Sequence, residues 1–277
     1  MPRIITTRAL CLATLRQRES SKLVTLFSED SGRVVVSARG ARRPKSRFGA
    51  ALERFAESRV TFYWHENRTV FTASDAELIR SYSGLADLPA RFLAAEQVVE
   101  FLLRTVQPHD PVHHGPAEAI GRIFRLTTAY LAALETAEAG FRAVVASYLL
   151  KSASFLGYRP DFSRCATCRR ALGTQATEFV PERGGLVCPR CSGGSISGTP
   201  GIPLSHEERR SLLRLLSTPV SELASLSSEP AGVSSALRRS AFAARTPPTA
   251  DPLRLALLYA SCHIDRLILN SYNWDTL

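Results

Sequence analysis

"KLVTLFSEDSGRVVVSAR", residues 22–39, is the stretch on which the fold turns. Two runs of alternating aliphatic and polar residues flank "SEDSG", a short connection that ends in glycine. Such alternation puts one face of each strand in a core, and a short Gly-ended link joins antiparallel neighbours. A hairpin is therefore expected. On its second strand Val34, Val36 and Ala38 share the core parity, while Arg33, Val35, Ser37 and Arg39 point outward.

The same period continues on both sides. "ALCLATL" (9–15) precedes the hairpin, and "RVTFYWH" (59–65) and "TVFTAS" (69–74) follow it, with turn signals at "RQRES" and "HENR". Short strands rich in Val, Thr and aromatics, with one long gap, predict a small closed or partly closed antiparallel barrel. The gap contains "RGARRPKSRFGAAL" (39–52), long enough for a short helical turn. Its cations Arg39, Arg42, Arg43, Lys45 and Arg47 are interrupted by no acidic residue. Residues 1–72 hold 14 Lys and Arg against 6 Asp and Glu, and the rest of the chain is close to balanced. That asymmetry predicts a polyanion partner contacted through phosphates. Nucleic acid fits better than a membrane surface, because no amphipathic helix or lipid signal accompanies the cations. On 59–65, Val60, Phe62 and Trp64 read as core, leaving Arg59, Tyr63 and His65 outward. Tyr63 is a candidate stacking platform beside the cations, and Phe48 is a second.

Six cysteines occur, and four form two pairs, "CATC" (165–168) and "CPRC" (188–191). Cys165, Cys168, Cys188 and Cys191 have the spacing of a four-thiolate zinc site closed to water, so one structural Zn2+ is expected. A redox pair would open a helix in a strand–helix–strand unit, and none is visible. Between the pairs, "ATEFVPERGGLV" reads as a hairpin turning at Gly184 and Gly185. The segment holds few large apolar residues, so the metal would supply its shape. Arg164, Arg169, Arg170 and Arg190 flank the thiolates and would offset their charge.

From Asp87–Leu88–Pro89 the period becomes helical. Phe92, Ala95, Val99, Leu102 and Val106 form one stripe; Ile120, Ile123, Phe124, Thr127, Tyr130, Leu131 and Leu134 form a second. A third runs from Phe141 to Leu156 and stops at Gly157. "SGGSISGTPGIPLS" (192–205) reads as an irregular link, "HEERRSLLRLL" (206–216) as a helix, and roughly 251–270 as the last helix. Residues 217–250 are too rich in Ser, Ala and Pro to place. "HDPVHH" (109–114) is read as a loop between helices rather than a metal site. The fold class is thus α+β and multidomain: a barrel over 1–80, then a helical domain over 81–277 with a zinc module at about 161–195. No apolar run is long enough to span a membrane. The first 20 residues lack the continuous apolar core of a signal peptide. A cytoplasmic protein is expected. Sequence motifs for nucleotide binding, nucleophilic hydrolysis or metalloprotease chemistry are absent, so no enzyme is expected.

The order of these parts resembles the RecO family of bacterial recombination mediators. The likeness rests on "ESSKLVTLFSEDSGRVVVSARGARRPKSRFGAALERF" (19–55), "ASDAELIRSYSGL" (73–85), "FLGYRPDFSRCATC" (155–168) and "GGLVCPRC" (184–191). The resemblance implies an N-terminal OB-fold, a helical domain and a zinc module. It implies binding of single- and double-stranded DNA without sequence specificity, annealing of complementary strands, and loading of RecA together with RecR onto DNA coated by SSB, the single-strand-binding protein. Those activities belong to the RecF pathway of repair, near the nucleoid. The DNA contacts would fall on Arg39, Arg42, Arg43, Lys45 and Arg47; Arg33, Arg59 and Tyr63 on the adjoining strands are added as candidates by their outward parity, not by the resemblance. The acidic tail of SSB would dock on the helical domain. Two other readings stay open on the residues alone: an RNA-binding barrel and zinc protein, and a zinc-stabilised adaptor for an acidic protein.

Overall fold

Residues 22–39 form the hairpin that their alternation predicts. The computed structural model describes residues 3–107, 117–192, 201–225 and 251–263. Strand β2 (Ser21–Ser28) pairs with β3 (Gly32–Ala38) in antiparallel register, Ser28 opposite Gly32 and Val24 opposite Val36. Gly32 closes the turn at φ 63°, a left-handed conformation that a side chain disfavours. Around this hairpin lie β1 (Arg3–Gln17), β4 (Ala56–Trp64) and β5 (Phe71–Ser81), giving a closed barrel of order β1-β2-β3-β5-β4. One seam departs from the antiparallel expectation: β3 and β5 run parallel, with Val36 opposite Phe71 and Ser37 opposite Thr72. Parallel neighbours need a long crossover. The 39–55 connection provides it, letting β4 pair with β1 instead of β3.

Strand β1 serves two partners. Its residues 3–10 pair with β4 and its residues 9–17 with β2, with a register shift between Cys11 and Ala13. A bulge there bends the strand enough to close the barrel. Inside are Val24, Leu26, Val34, Val36, Val60 and Phe62. The 3-10 turn Gly49–Leu52 adds Phe48, Ala51 and Leu52 to that core. Leu10 and Phe27 face each other on the outside of the β1–β2 pair, and Phe27 packs on Phe124 of α2 (Ala117–Thr136), ring centres 5.5 Å apart.

Two compact units divide the chain, Met1–Pro89 with Val99–Glu135, and Ala90–Val98 with Thr136–Leu277. Helix α1 (Pro89–Thr105) contributes to both, and Pro89 occupies its first turn as the sequence predicts. In the first unit a buried carboxylate holds the end of the barrel, and Tyr82 and Arg80 beside it reach Thr128 and Glu135 of α2. Glu57 accepts from Arg8 Nε and from the Tyr82 hydroxyl. Burial and that hydrogen bond push the Tyr82 hydroxyl pKa up. Arg80 lies over the Tyr82 ring at 4.7 Å and pairs with Glu135 at 2.8 Å.

The second unit is built on α3 (Phe141–Phe155), whose Val144, Val145, Tyr148 and Leu149 are buried. Its end is a Schellman motif: Tyr158 N–H donates to Ala153 O at 2.9 Å, Gly157 N–H to Ser154 O at 3.2 Å, and Gly157 has φ +97°. A three-stranded sheet follows, order β7-β6-β8, from β6 (Thr177–Val180), β7 (Gly185–Val187) and β8 (Ile202–Leu204). The short helix α4 (Pro189–Ser192) carries Cys191, and α5 (His206–Ser217), α6 (Val220–Ser225) and α7 (Pro252–His263) complete the unit. Strand β8 corrects the expectation of an irregular link through 205. Three residues are too few to show alternation, and Pro203 is tolerated because β8 is an edge strand. Phe92 is also corrected: it is 39% exposed, whereas Ala95, Val99 and Leu102 on the same stripe are fully buried. Helix α5 opens with a capping box, Ser205 with Glu208. The "HDPVHH" stretch and residues 226–250 and 264–270 lie outside the described residues. Among the described residues no helix is long and apolar enough to cross a membrane.

Candidate nucleic-acid interface and metal centre

The cationic connection after β3 is a run of consecutive turns, not a slack loop. Ala41 N–H donates to Ala38 O, Arg43 N–H to Gly40 O, Ser46 N–H to Arg43 O and Gly49 N–H to Ser46 O. It is fastened sideways through Arg42, whose N–H donates to Ser20 O at 3.0 Å and whose guanidinium donates to Glu19 O at 2.9 Å. Arg39, Arg42, Arg43, Lys45 and Arg47 are all exposed. Among the described residues Arg39, Arg43, Lys45 and Arg47 enter no ion pair. The Arg47 guanidinium lies 5.2 Å from the Phe48 ring centre. Phe48 itself is buried in the barrel core, which corrects its reading as a stacking platform: a ring inside a core has no free face.

The Arg42 anchor brings a second cationic segment alongside, the β1–β2 turn with exposed Arg16 and Arg18. Sequence reasoning counted their charge but did not place them, because it is the β2–β3 register, Lys22 opposite Ala38, that brings the two segments together. The outer face beside them carries Leu15, Leu23, Thr25, Val35 and Ser37, aligned by register across β1, β2 and β3. Leu15 is 66% exposed, and Ser37 Oγ donates to Gln17 Oε1 at 2.6 Å. This face is aliphatic and hydroxylic. The other sequence candidates lie apart. Arg33 donates from its guanidinium to Leu103 O at 2.7 Å, capping a carbonyl near the end of α1. Arg59 pairs with Glu77 at 3.2 Å, both well exposed. Tyr63 is 38% exposed but stands on β4, opposite Ile4 of β1 and separated from β3 by β5.

In the second unit the four cysteines converge. The sulfurs of Cys165, Cys168, Cys188 and Cys191 all lie within 4.8 Å of one another, with Cys168 and Cys188 at 3.9 Å. Four soft thiolates at that spacing suit a tetrahedral ion such as zinc or iron. Backbone geometry presents them: Arg169 at φ 59° turns the first knuckle, with Cys165 N–H donating to Arg170 O at 2.8 Å and Arg169 N–H to Cys165 O at 2.9 Å. In the second knuckle Cys191 N–H donates to Cys188 O at 2.9 Å. Burial opposes ionisation of Cys165, but N–H donors from Cys168, Cys188 and Thr167 outweigh it and bring its pKa down to about 6. Cys191, hydrogen-bonded to Cys188 and close to the other thiols, is pushed up to about 12. Four thiols that share protons in this way need a cation before all can be thiolates.

The β6–β7 hairpin turns at Gly184, as expected, and draws the knuckles together. Gly185 permits a closer approach still. A Cβ there would stand 2.8 Å from Asp161 O, where Asp161 and Gly185 form a bridge. The module has more core than its composition promised. Phe162, Leu172, Phe179, Leu186 and Leu204 are buried, and Phe179 stacks toward Tyr259 of α7 at 6.4 Å.

With both sites in view, the chain can be set beside known proteins. Residues 1–82 match the family pattern described as Recombination protein O N terminal, and residues 89–241 match Recombination protein O C terminal. This chain belongs to the RecO family. Its relatives include the DNA repair protein RecO of Rubrobacter xylanophilus, 32% identical over 84% of this chain and 87% of that protein. The RecO proteins of Bifidobacterium animalis subsp. lactis and Cutibacterium acnes are 35% and 34% identical, over 65% and 76% of this chain and 71% and 80% of theirs. The RecO N-terminal pattern ends at Tyr82, where the barrel ends, and the C-terminal one begins at Pro89, the first residue of α1.

Proposed function

We propose that this chain is a recombination mediator of DNA repair that binds single- and double-stranded DNA through the phosphate backbone and anneals complementary strands. The observation that carries the reading is the cationic connection, ordered by turns and fastened to the β1–β2 turn, with four of its cations in no ion pair among the described residues. Annealing brings two polyanions together, and its main obstacle is phosphate repulsion. Exposed guanidinium groups lower that repulsion without reading base edges. Bases would lie on the aliphatic face around Leu15, Leu23 and Val35, a surface that every base can contact. The reading needs no nucleophile or general base, so the chain acts as a mediator and not an enzyme.

Family membership supports the remaining parts: partnership with RecR, docking of the SSB tail, loading of RecA, and residence in the cytoplasm at the nucleoid. The metal would be one zinc ion held by Cys165, Cys168, Cys188 and Cys191, with no open position and a structural role. The test is annealing of labelled complementary DNA strands across a salt series, comparing wild type with the Ala variant at Arg42, Arg43, Lys45 and Arg47. Wild type should anneal, more slowly as salt rises. The variant should lose most annealing, and its single-strand salt slope should flatten by about 2.8, which is about 0.7 per phosphate contact. An unchanged slope would remove the loop from the interface, and equal affinity for RNA of the same sequence would favour an RNA-binding role.

A further inference from the structure

The cysteine module carries charge that the barrel reading does not use. Residues 161–192 hold five arginines and three acidic residues. Arg164, Arg169 and Arg170 stand on the first knuckle, Arg190 on the second, and all four are exposed. Because the sulfurs meet within 4.8 Å, the two knuckles share one tip, and each of these arginines is within two residues of a converging cysteine. Among the described residues Arg164, Arg170 and Arg190 enter no ion pair, and Arg169 reaches Asp161 only at 3.8 Å. Arg183 donates to Thr167 at 3.2 Å on the same tip. Of the three acidic side chains, Asp161 is engaged at the base of the first knuckle and the other two lie away from it. Asp161 accepts from the Ser163 hydroxyl and from the N–H groups of Ser163 and Arg164. Glu178 lies beside Gly201 at the β8 edge, and Glu182 lies near Cys262 of α7.

Neutralising the thiolates is one use for these cations, but it does not account for their placement. Cys168 is exposed, so water already solvates that side of the cluster, where a fixed cation adds little. We propose that the Arg164, Arg170 and Arg190 tip of the cysteine module is a second DNA-backbone site, which holds one strand while the barrel's cationic loop holds the other. The inference rests on the reading of the chain as an annealing protein. It adds what annealing requires, a separate surface for each of two polyanions on one molecule. A DNA backbone is favoured over an acidic peptide because planar guanidinium forks match phosphate oxygens bidentately and need no apolar contact beside them.

The test uses the full-length, zinc-loaded protein and the triple variant Arg164→Glu, Arg170→Glu, Arg190→Glu, beside the loop variant described above. Zinc content, single-strand affinity, capture of a second non-complementary strand, and annealing rate are measured for each. The module variant should keep one zinc per chain and bind a first strand within about threefold of wild type, since the loop is intact. It should fail to capture a second strand and anneal at least tenfold more slowly. A module variant that captures and anneals like wild type overturns the proposal. Loss of zinc from the variant also overturns it, by showing that the arginines serve the thiolates. So does a tip that binds an acidic peptide but no oligonucleotide. If the loop variant binds DNA normally while the module variant does not, the loop reading fails and the module stands as the principal site.

Discussion

The barrel and the cysteine module each present exposed arginines on a small sheet, but they hold their shapes by different means. The barrel's strands run to 15 residues, and closure leaves no unpaired edge. Its core is contiguous, from Val24 and Val36 across Phe62 to Phe48 and Leu52. The module's strands are three or four residues long, with open edges at β7 and β8. Its few large side chains, Phe162, Phe179 and Leu186, lean on α7 through Tyr259. A closed sheet can carry a long cationic insertion because the strands on either side are already fixed. A short open one needs a cross-link, and four convergent sulfurs supply its donors.

The contrast can be broken in order of expected effect. Stripping the metal with a chelator, or substituting Cys165→Ser, should unfold the module and leave the barrel intact. Structural zinc contributes on the order of 10–16 kcal/mol in small modules. Limited proteolysis should then cut within residues 161–192 while residues 3–81 resist, and equal protection of both regions would show that packing alone holds the module. The reverse experiment is Phe62→Ala. This ring is fully buried against Phe71 at 5.6 Å, so the variant should lose about 3–5 kcal/mol by denaturant unfolding while retaining its metal.

Gly185→Ala tests the module without touching a sulfur. The added Cβ meets Asp161 O at 2.8 Å, and a cost of about 1–3 kcal/mol is expected, seen as faster metal release to a chelator. The smallest effect concerns pH. Burial disfavours the Asp161 carboxylate, but donors from Ser163 and Arg164 and the nearby Arg169 prevail, so its pKa is lowered. A folded-state pKa below the unfolded value gives stability that is fully present above about pH 4 and is lost as pH falls through the folded value. Asp161→Asn should abolish that part of the acid dependence at a cost of about 1 kcal/mol. An identical acid transition in both proteins would remove Asp161 from it.

Much of this was legible because it is local. Period-two alternation located all the barrel strands, and Gly32, Gly157 and Gly184 marked turns that their positive φ values require. The cysteine spacing singled out the four sulfurs that the fold brings within 4.8 Å of one another. Misreadings arose where neighbours distant in sequence decide. Phe48 sits between cations in the chain, yet the following 3-10 turn carries it into the core. Ile202–Leu204 looks like linker until β6 offers it an edge.

Residue type and short spacing were enough for the barrel strands, the long helices, the four thiol donors and the basic surplus of the first 72 residues. The fold adds which cations are neighbours. Pairing of β2 with β3 brought Arg16 and Arg18 beside the Arg42 loop, packing of α1 turned Arg33 onto Leu103, and convergence of the four sulfurs joined the segments that carry Arg164, Arg170 and Arg190. The physical reason is range. A strand's alternation is written every second residue, whereas phosphate attraction depends on distances between groups that the chain separates by tens of residues.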